Sequence, residues 1–299
     1  NPHKSGIHKT SAATCALCQE SNLRIIQHKT TGSRLELGGM AVDLVERIRP
    51  AAAVHYEIIA VSTCSEHRRI VTNAGIPGKS KYDIRDGLAV CLLHAEHVWG
   101  MSPIKRLHTD KEGGTLANRT WLHSNAISVT TTEGNMSQAN PIAEGAIAYI
   151  SAGARTALVQ ATAELPEKDQ KACREFLWPE AFSFSVNLWN AYECEQAGNK
   201  PGAKESELRE ARIRLEDFVS FGSKVLFRQG KVKPAKDDAA AGVGWFLGPD
   251  LDVPAASRVL DSATPFSVRT ATTVRPVENA GKEIYPKTLN LPVEALPEA

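Results

Sequence analysis

Two short motifs hold the residues best suited to chemistry. Cys15-Ala-Leu-Cys18 and Cys64-Ser-Glu-His67 each place two metal-capable side chains two residues apart. That spacing lets both side chains of a tight turn face one ion, and two such pairs complete the tetrahedral, soft-ligand shell of a structural zinc. Cys15, Cys18, Cys64 and His67 are therefore the candidate ligands of a Zn2+ that staples the N-terminal part of the chain. A third group, Cys91-Leu-Leu-His94-Ala-Glu-His97, falls on an expected helix. There Cys91 reads as a core residue and His94 and His97 as polar-face residues, with either histidine an alternative to His67.

The elements that must position these ligands follow from pattern. A strand is expected over 23–27, a helix over 40–48 stopped by Pro50, and a buried strand over 54–61 that runs into the second knuckle. Residues 74–81 form a basic turn, 83–99 a helix ended by Gly100, and 121–132 a strand pair. Asn140 and Pro141 suit the N-cap and first position of a helix running to about 165. Residues 167–197 continue as helix with a break or kink at Pro179, and 203–229 carry an apolar stripe at helical spacing. Trp178, Phe182, Phe184 and Trp189 read as core packing. Eight of the 16 prolines lie beyond residue 230 and exclude long helices there, leaving an extended tail with one alternating segment at 266–275.

The fold class expected is α+β. A zinc-stapled domain spans 1–133, an antiparallel helical bundle 134–230, and an extended Pro-rich tail 231–299.

Cys15-Ala-Leu-Cys18, then Asn22-Leu23 and a strand ending in His28, with Cys64-Ser-Glu-His67-Arg-Arg later, resembles treble-clef zinc fingers of the HNH nuclease type over about residues 15–70. The resemblance implies a knuckle-bound zinc that holds the fold and gives His28 the role of general base. It also implies a divalent metal at the phosphate leaving group. The family's middle asparagine has no counterpart between Lys29 and Thr63, and Gln27 stands where a metal ligand is common. A scissile phosphate needs both a base and a metal ligand set.

The formal charge is +1 over 299 residues, with 42% hydrophobic and 23% charged, which describes a soluble globular chain without a global field. All nine histidines lie at or before His123, and residues 1–120 hold 16 Lys/Arg against 11 Asp/Glu. The chemistry is thus concentrated in the first part. Arg68, Arg69, Lys79, Lys81, Arg85, Lys105, Arg106, Arg119 and Trp121 are the candidate nucleic-acid contacts. Gly75-Ile-Pro-Gly78-Lys79-Ser80 is no phosphate loop, because two residues separate its glycines and Pro77 lacks an N–H. No apolar run is long enough for a membrane span, and Asn1–Gly6 has no leader-like apolar stretch, so a cytoplasmic location is expected.

These observations point first to a zinc-stabilised, non-catalytic nucleic-acid-binding subunit. It would dock on other protein subunits through its helices and tail within a ribonucleoprotein or DNA-processing assembly. Large subunits of CRISPR interference complexes are similar in architecture. The alternatives are a divergent HNH-like metal-dependent nuclease using His28, and a structural subunit of a virion or scaffold.

Overall fold

The computed structural model describes residues 38–51, 54–65, 68–101, 103–110, 113–131, 140–198, 213, 215, 218–228, 241–262 and 267–277. They form two compact units. One takes in the described residues up to Ser151 and those from Val186 to 215; the other takes in 152–185 and those beyond 216. The chain is α+β, as its sequence implies.

The first unit is built on a five-stranded sheet, in the order β3-β2-β1-β4-β5. β1 (Gly39–Ala51), β2 (Val54–Ser65) and β3 (Arg68–Ile76) make an antiparallel meander. β4 (Arg106–Thr109) and β5 (Ser128–Thr131) run parallel to β1. The helix expected over 40–48 is therefore a strand. Met40, Ala41 and Val42 are all buried in succession, the pattern of a central strand covered on both faces and one that no single helix stripe can satisfy.

Helix α1 (Lys81–Leu93) begins at Ser80, whose hydroxyl accepts from Asp83 N–H at 3.2 Å and donates to the Asp83 carboxylate at 2.7 Å. This reciprocal cap satisfies end groups that the helix itself cannot. α1 runs into a π-helical turn, His94–Val98, and the chain turns at Gly100, φ +63°. It lies flat on the sheet: a methyl group at Gly87 would overlap the side chains of Ile58 and Ile76. α2 (Gly113–Ala117) and α3 (Arg119–Ser124) connect β4 to β5. The strand pair expected over 121–132 is thus half helix, closed by Ala126 at φ +60° before β5 begins.

Two long helices follow. α4 (Pro141–Thr162) starts at the expected Asn-Pro boundary, and α5 (Glu167–Gly198) continues through Pro179. Each contributes residues to both units. The described end of the third helix expected, over 218–228, is not helical. Residues 224–228 are strand β6 (Lys224–Arg228), with Val225 and Phe227 inward and Leu226 and Arg228 outward. Residues 203–212 lie outside the described residues.

The second unit holds a five-stranded antiparallel sheet, in the order β10-β6-β7-β8-β9. Its further strands are β7 (Ala241–Pro249), β8 (Ser257–Asp261), β9 (Val268–Ala271) and β10 (Val274–Pro276). The described part of the expected extended tail is therefore a sheet, and the single strand expected at 266–275 is two, split at Thr272–Thr273. Proline forbids helix but tolerates strand ends and edges, where Pro249 and Pro276 lie. Phe184 of α5 packs edge-on to Phe218 and Phe246 and against Phe221 within this unit, which fits the core role read for the aromatic residues of that helix. Arg258 of β8 is bound by both oxygens of Glu180.

No helix among the described residues is long and apolar enough to cross a membrane.

Candidate functional site

The zinc motif falls mostly outside the described residues: Cys15, Cys18, His28 and His67 are not among them, and of Cys64 only the backbone, near the end of β2, is described. Cys91 is fully buried on α1, and burial, ahead of the neighbouring Glu57 charge and against a hydrogen bond from Thr72, pushes its thiol up to about 12. It is a core residue. Among the described residues, no three His, Cys, Asp or Glu side chains are grouped to hold one ion.

The cationic candidates divide between two ends of the first sheet. Arg69 pairs with Thr63 and Arg106 with Gly39, while Lys105 N–H bonds Gly38 C=O, so Arg68, Arg69, Lys105 and Arg106 collect where β1 and β4 begin. Lys79, Lys81 and Arg85 lie where β1 and β3 finish. Arg85 is bound to Asp86 at 2.9 Å and stacks on Tyr82. The Asn118 amide donates to Lys81 C=O at 2.7 Å and brings the start of α3, with exposed Arg119 and half-buried Trp121, to that same end.

Two acidic residues with no motif in the sequence follow the paired part of the sheet's central strands. The parallel register of β1 and β4 runs from Gly39 opposite Arg106 to Val42 opposite Thr109. Asp43 and Asp110 are the next residues in step on adjacent strands, both half-buried. From there β1 continues to Ala51 and turns toward β2, while the chain after β4 leads toward β5. Open α/β sheets bind ligands at this kind of switch point, beyond the carboxyl ends of parallel strands.

Asp43 shares a sheet face with Ile59 and Asn73, its partners across β2 and β3, opposite the face that α1 covers. One Asp43 carboxylate oxygen accepts from Leu44 N–H at 2.8 Å. His108 lies on that face too, two residues before Asp110, with Nδ1 3.0 Å from the Thr130 hydroxyl.

The start of α4 is tied to the strand of Asp43. The buried Asn140 amide donates to Val42 C=O at 2.9 Å, just before Asp43 and where β4 leaves the ladder. The Asn140 carbonyl accepts from Glu144 N–H at 3.0 Å. Asn140 thus ties the first turn of α4, with exposed Glu144, to the Asp43 strand. Carboxylate oxygens are hard donors suited to Mg2+ or Mn2+. Magnesium is commonly held by one or two carboxylates together with water and substrate phosphates, without a complete protein cage. Asp43 and Asp110, as a pair of carboxylates, suit that mode.

No protein-family model matches the chain, and no curated protein matches its sequence. Two solved structures are similar in part. The catalytic core domain of BIV integrase is 17% identical with a TM-score of 0.31, covering 49% of this chain and 82% of that one. The simian T-cell lymphotropic virus intasome, in complex with PP2A regulatory subunit B56 gamma, is 12% identical with a TM-score of 0.36, covering 84% of this chain and 82% of that one. Both scores are too low to establish a shared fold.

Proposed function

We propose that the first unit is a divalent-cation-dependent phosphodiester-processing centre acting on nucleic acid, with Asp43 and Asp110 as the metal-holding pair. The observation that carries the reading is the parallel register of β1 and β4, which ends at Val42 opposite Thr109 and makes Asp43 and Asp110 the next residue on each. Glu144 is the third acidic group, brought to the same strand by Asn140. A bound cation would polarise a phosphoryl oxygen and make a bound water more acidic. The sheet fixes Asp43 and Asp110 in position, and Lys79, Lys81 and Arg119 gather cationic charge at the end of the sheet where β1 and β3 finish. Nuclease chemistry was an alternative at the sequence level with His28 as base; here it is assigned to the carboxylates. The zinc knuckle of Cys15, Cys18, Cys64 and His67 remains part of the proposal, as a structural staple, and the long helices and second sheet as docking elements for other subunits.

The test is cleavage of labelled single- and double-stranded DNA and RNA in Mg2+, Mn2+ or chelator. Wild-type protein is expected to cut in either metal and not in chelator. Asp43→Asn and Asp110→Asn are each expected to lose roughly 100-fold or more of that rate, and Glu144→Gln less. Binding without metal-dependent cleavage would return the reading to a non-catalytic nucleic-acid-binding subunit.

A further inference from the structure

Lys79 folds back over one end of the first sheet. Its ammonium lies 4.9 Å from the centre of the Tyr56 ring and 3.7 Å from a Glu46 carboxylate oxygen. Tyr56 stands in one row with Glu46 of β1 and Ile76 of β3. The Lys79 carbonyl packs on the far side against Gly114, where an added methyl would come within 3.1 Å of it. Lys79 therefore touches the segment three residues beyond Asp43 and the segment four residues beyond Asp110. Three strand residues span about 10 Å, roughly the axial rise of three nucleotide steps in a duplex.

Two groups beside this lysine are already engaged. Ser80 and Asp83 already close the N-terminus of α1 and make it acidic, and Arg85 is bound to Asp86. Both Lys79 and Glu46 are solvent-accessible, at 40% and 65% exposure. An exposed ion pair of this kind is a weak competitor for a polyanion. The Tyr56 ring keeps the ammonium in place over the sheet when the partner changes.

We propose that Lys79 binds a backbone phosphate of a nucleic-acid strand two or three nucleotides from the bond being processed, and that Glu46 holds the ammonium until that phosphate displaces it. The distance in nucleotides rests on the reading of Asp43 and Asp110 as the reaction centre.

Fluorescence anisotropy of labelled DNA and RNA oligonucleotides, in Ca2+ to separate binding from turnover, tests this between about 50 and 200 mM salt. Lys79→Ala is expected to weaken binding about threefold to tenfold at low salt and to reduce the slope of log affinity against log salt by about one. Lys79→Arg keeps both, Glu46→Gln tightens binding, and Lys171→Ala, an exposed lysine of α5, leaves the slope unchanged. Thermal melts of each variant establish that it is folded. A wild-type slope in Lys79→Ala, or an equal loss in Lys171→Ala, overturns the proposal, as does a wild-type protein that binds neither nucleic acid. Parallel cleavage assays in Mg2+ separate the two readings. Cleavage lost in Asp43→Asn with an unchanged Lys79→Ala slope removes Lys79 and keeps the reaction centre. A reduced slope with no metal-dependent cleavage supports the phosphate contact and removes the reaction centre.

Discussion

A thiol shut away from water keeps its proton. Cys91 and Cys173 are both buried, and burial is the main cause that pushes each up to about 12. Their ordinary value is 9.0, so the folded chain holds these protons more tightly than the unfolded one. The sign follows: this contribution to stability is complete below about pH 9 and is lost as pH rises through about 12. Alkylation with iodoacetamide at pH 8, mapped by mass spectrometry, is expected to leave both residues unmodified in the native protein and to label both in urea. Residue-level legibility was uneven. The core reading of Cys91 was available from its helix position, because a buried face recurs at fixed spacing. Asp43 was not, since a carboxylate inside an expected helix looks like a solvated face. Only the register of β1 against β4 makes it the neighbour of Asp110, and register is a long-range property that no local window contains.

At the scale of elements, one side chain completes a strand. Asn190 of α5 is fully buried; its carbonyl accepts from Val71 N–H at 2.8 Å and its amide donates to Val71 C=O at 2.6 Å. β3 is an edge strand, and without this contact both backbone groups would be buried and unpaired. Asn190→Ala is expected to cost about 2–4 kcal/mol in urea unfolding, two hydrogen bonds and the exposure of their partners. A loss below about 1 kcal/mol would mean that water replaces the amide. The elements themselves were legible where local chemistry decides. Asn140-Pro141 starts α4, and Gly100 ends the segment after α1, because caps act within a single turn. They were illegible where tertiary context decides. The run from Met40 to Ile48 has apolar residues enough for helix or strand, and burial on both faces selects strand. The stripe read at 219, 222 and 226 crosses from a turn into β6, where alternation at Val225 and Phe227 takes over.

At the scale of the molecule, the two proposed metals belong to different parts of the first sheet. Cys64 lies near the end of β2, beyond Ser62 that pairs with Met40, whereas Asp43 and Asp110 lie past the other end of the β1–β4 pairing. Zinc analysis of protein purified without added metal is expected to find one zinc per chain, lost in Cys64→Ser and retained in Asp43→Asn. Zinc lost from both variants would mean a single shared centre. The molecule's division into two units was the least legible feature, because α4 and α5 each pass from one unit to the other and nothing in a helix sequence marks the residue at which its neighbours change.

The Asn190 amide also has a bearing on how copies of the chain can aggregate. A sheet grows by adding strands at its edges, and here β3 is stoppered at its middle by a side chain, leaving β5 as the other edge of the first sheet among the described residues. A further strand could pair with β3 at this position only after α5 was displaced from Val71.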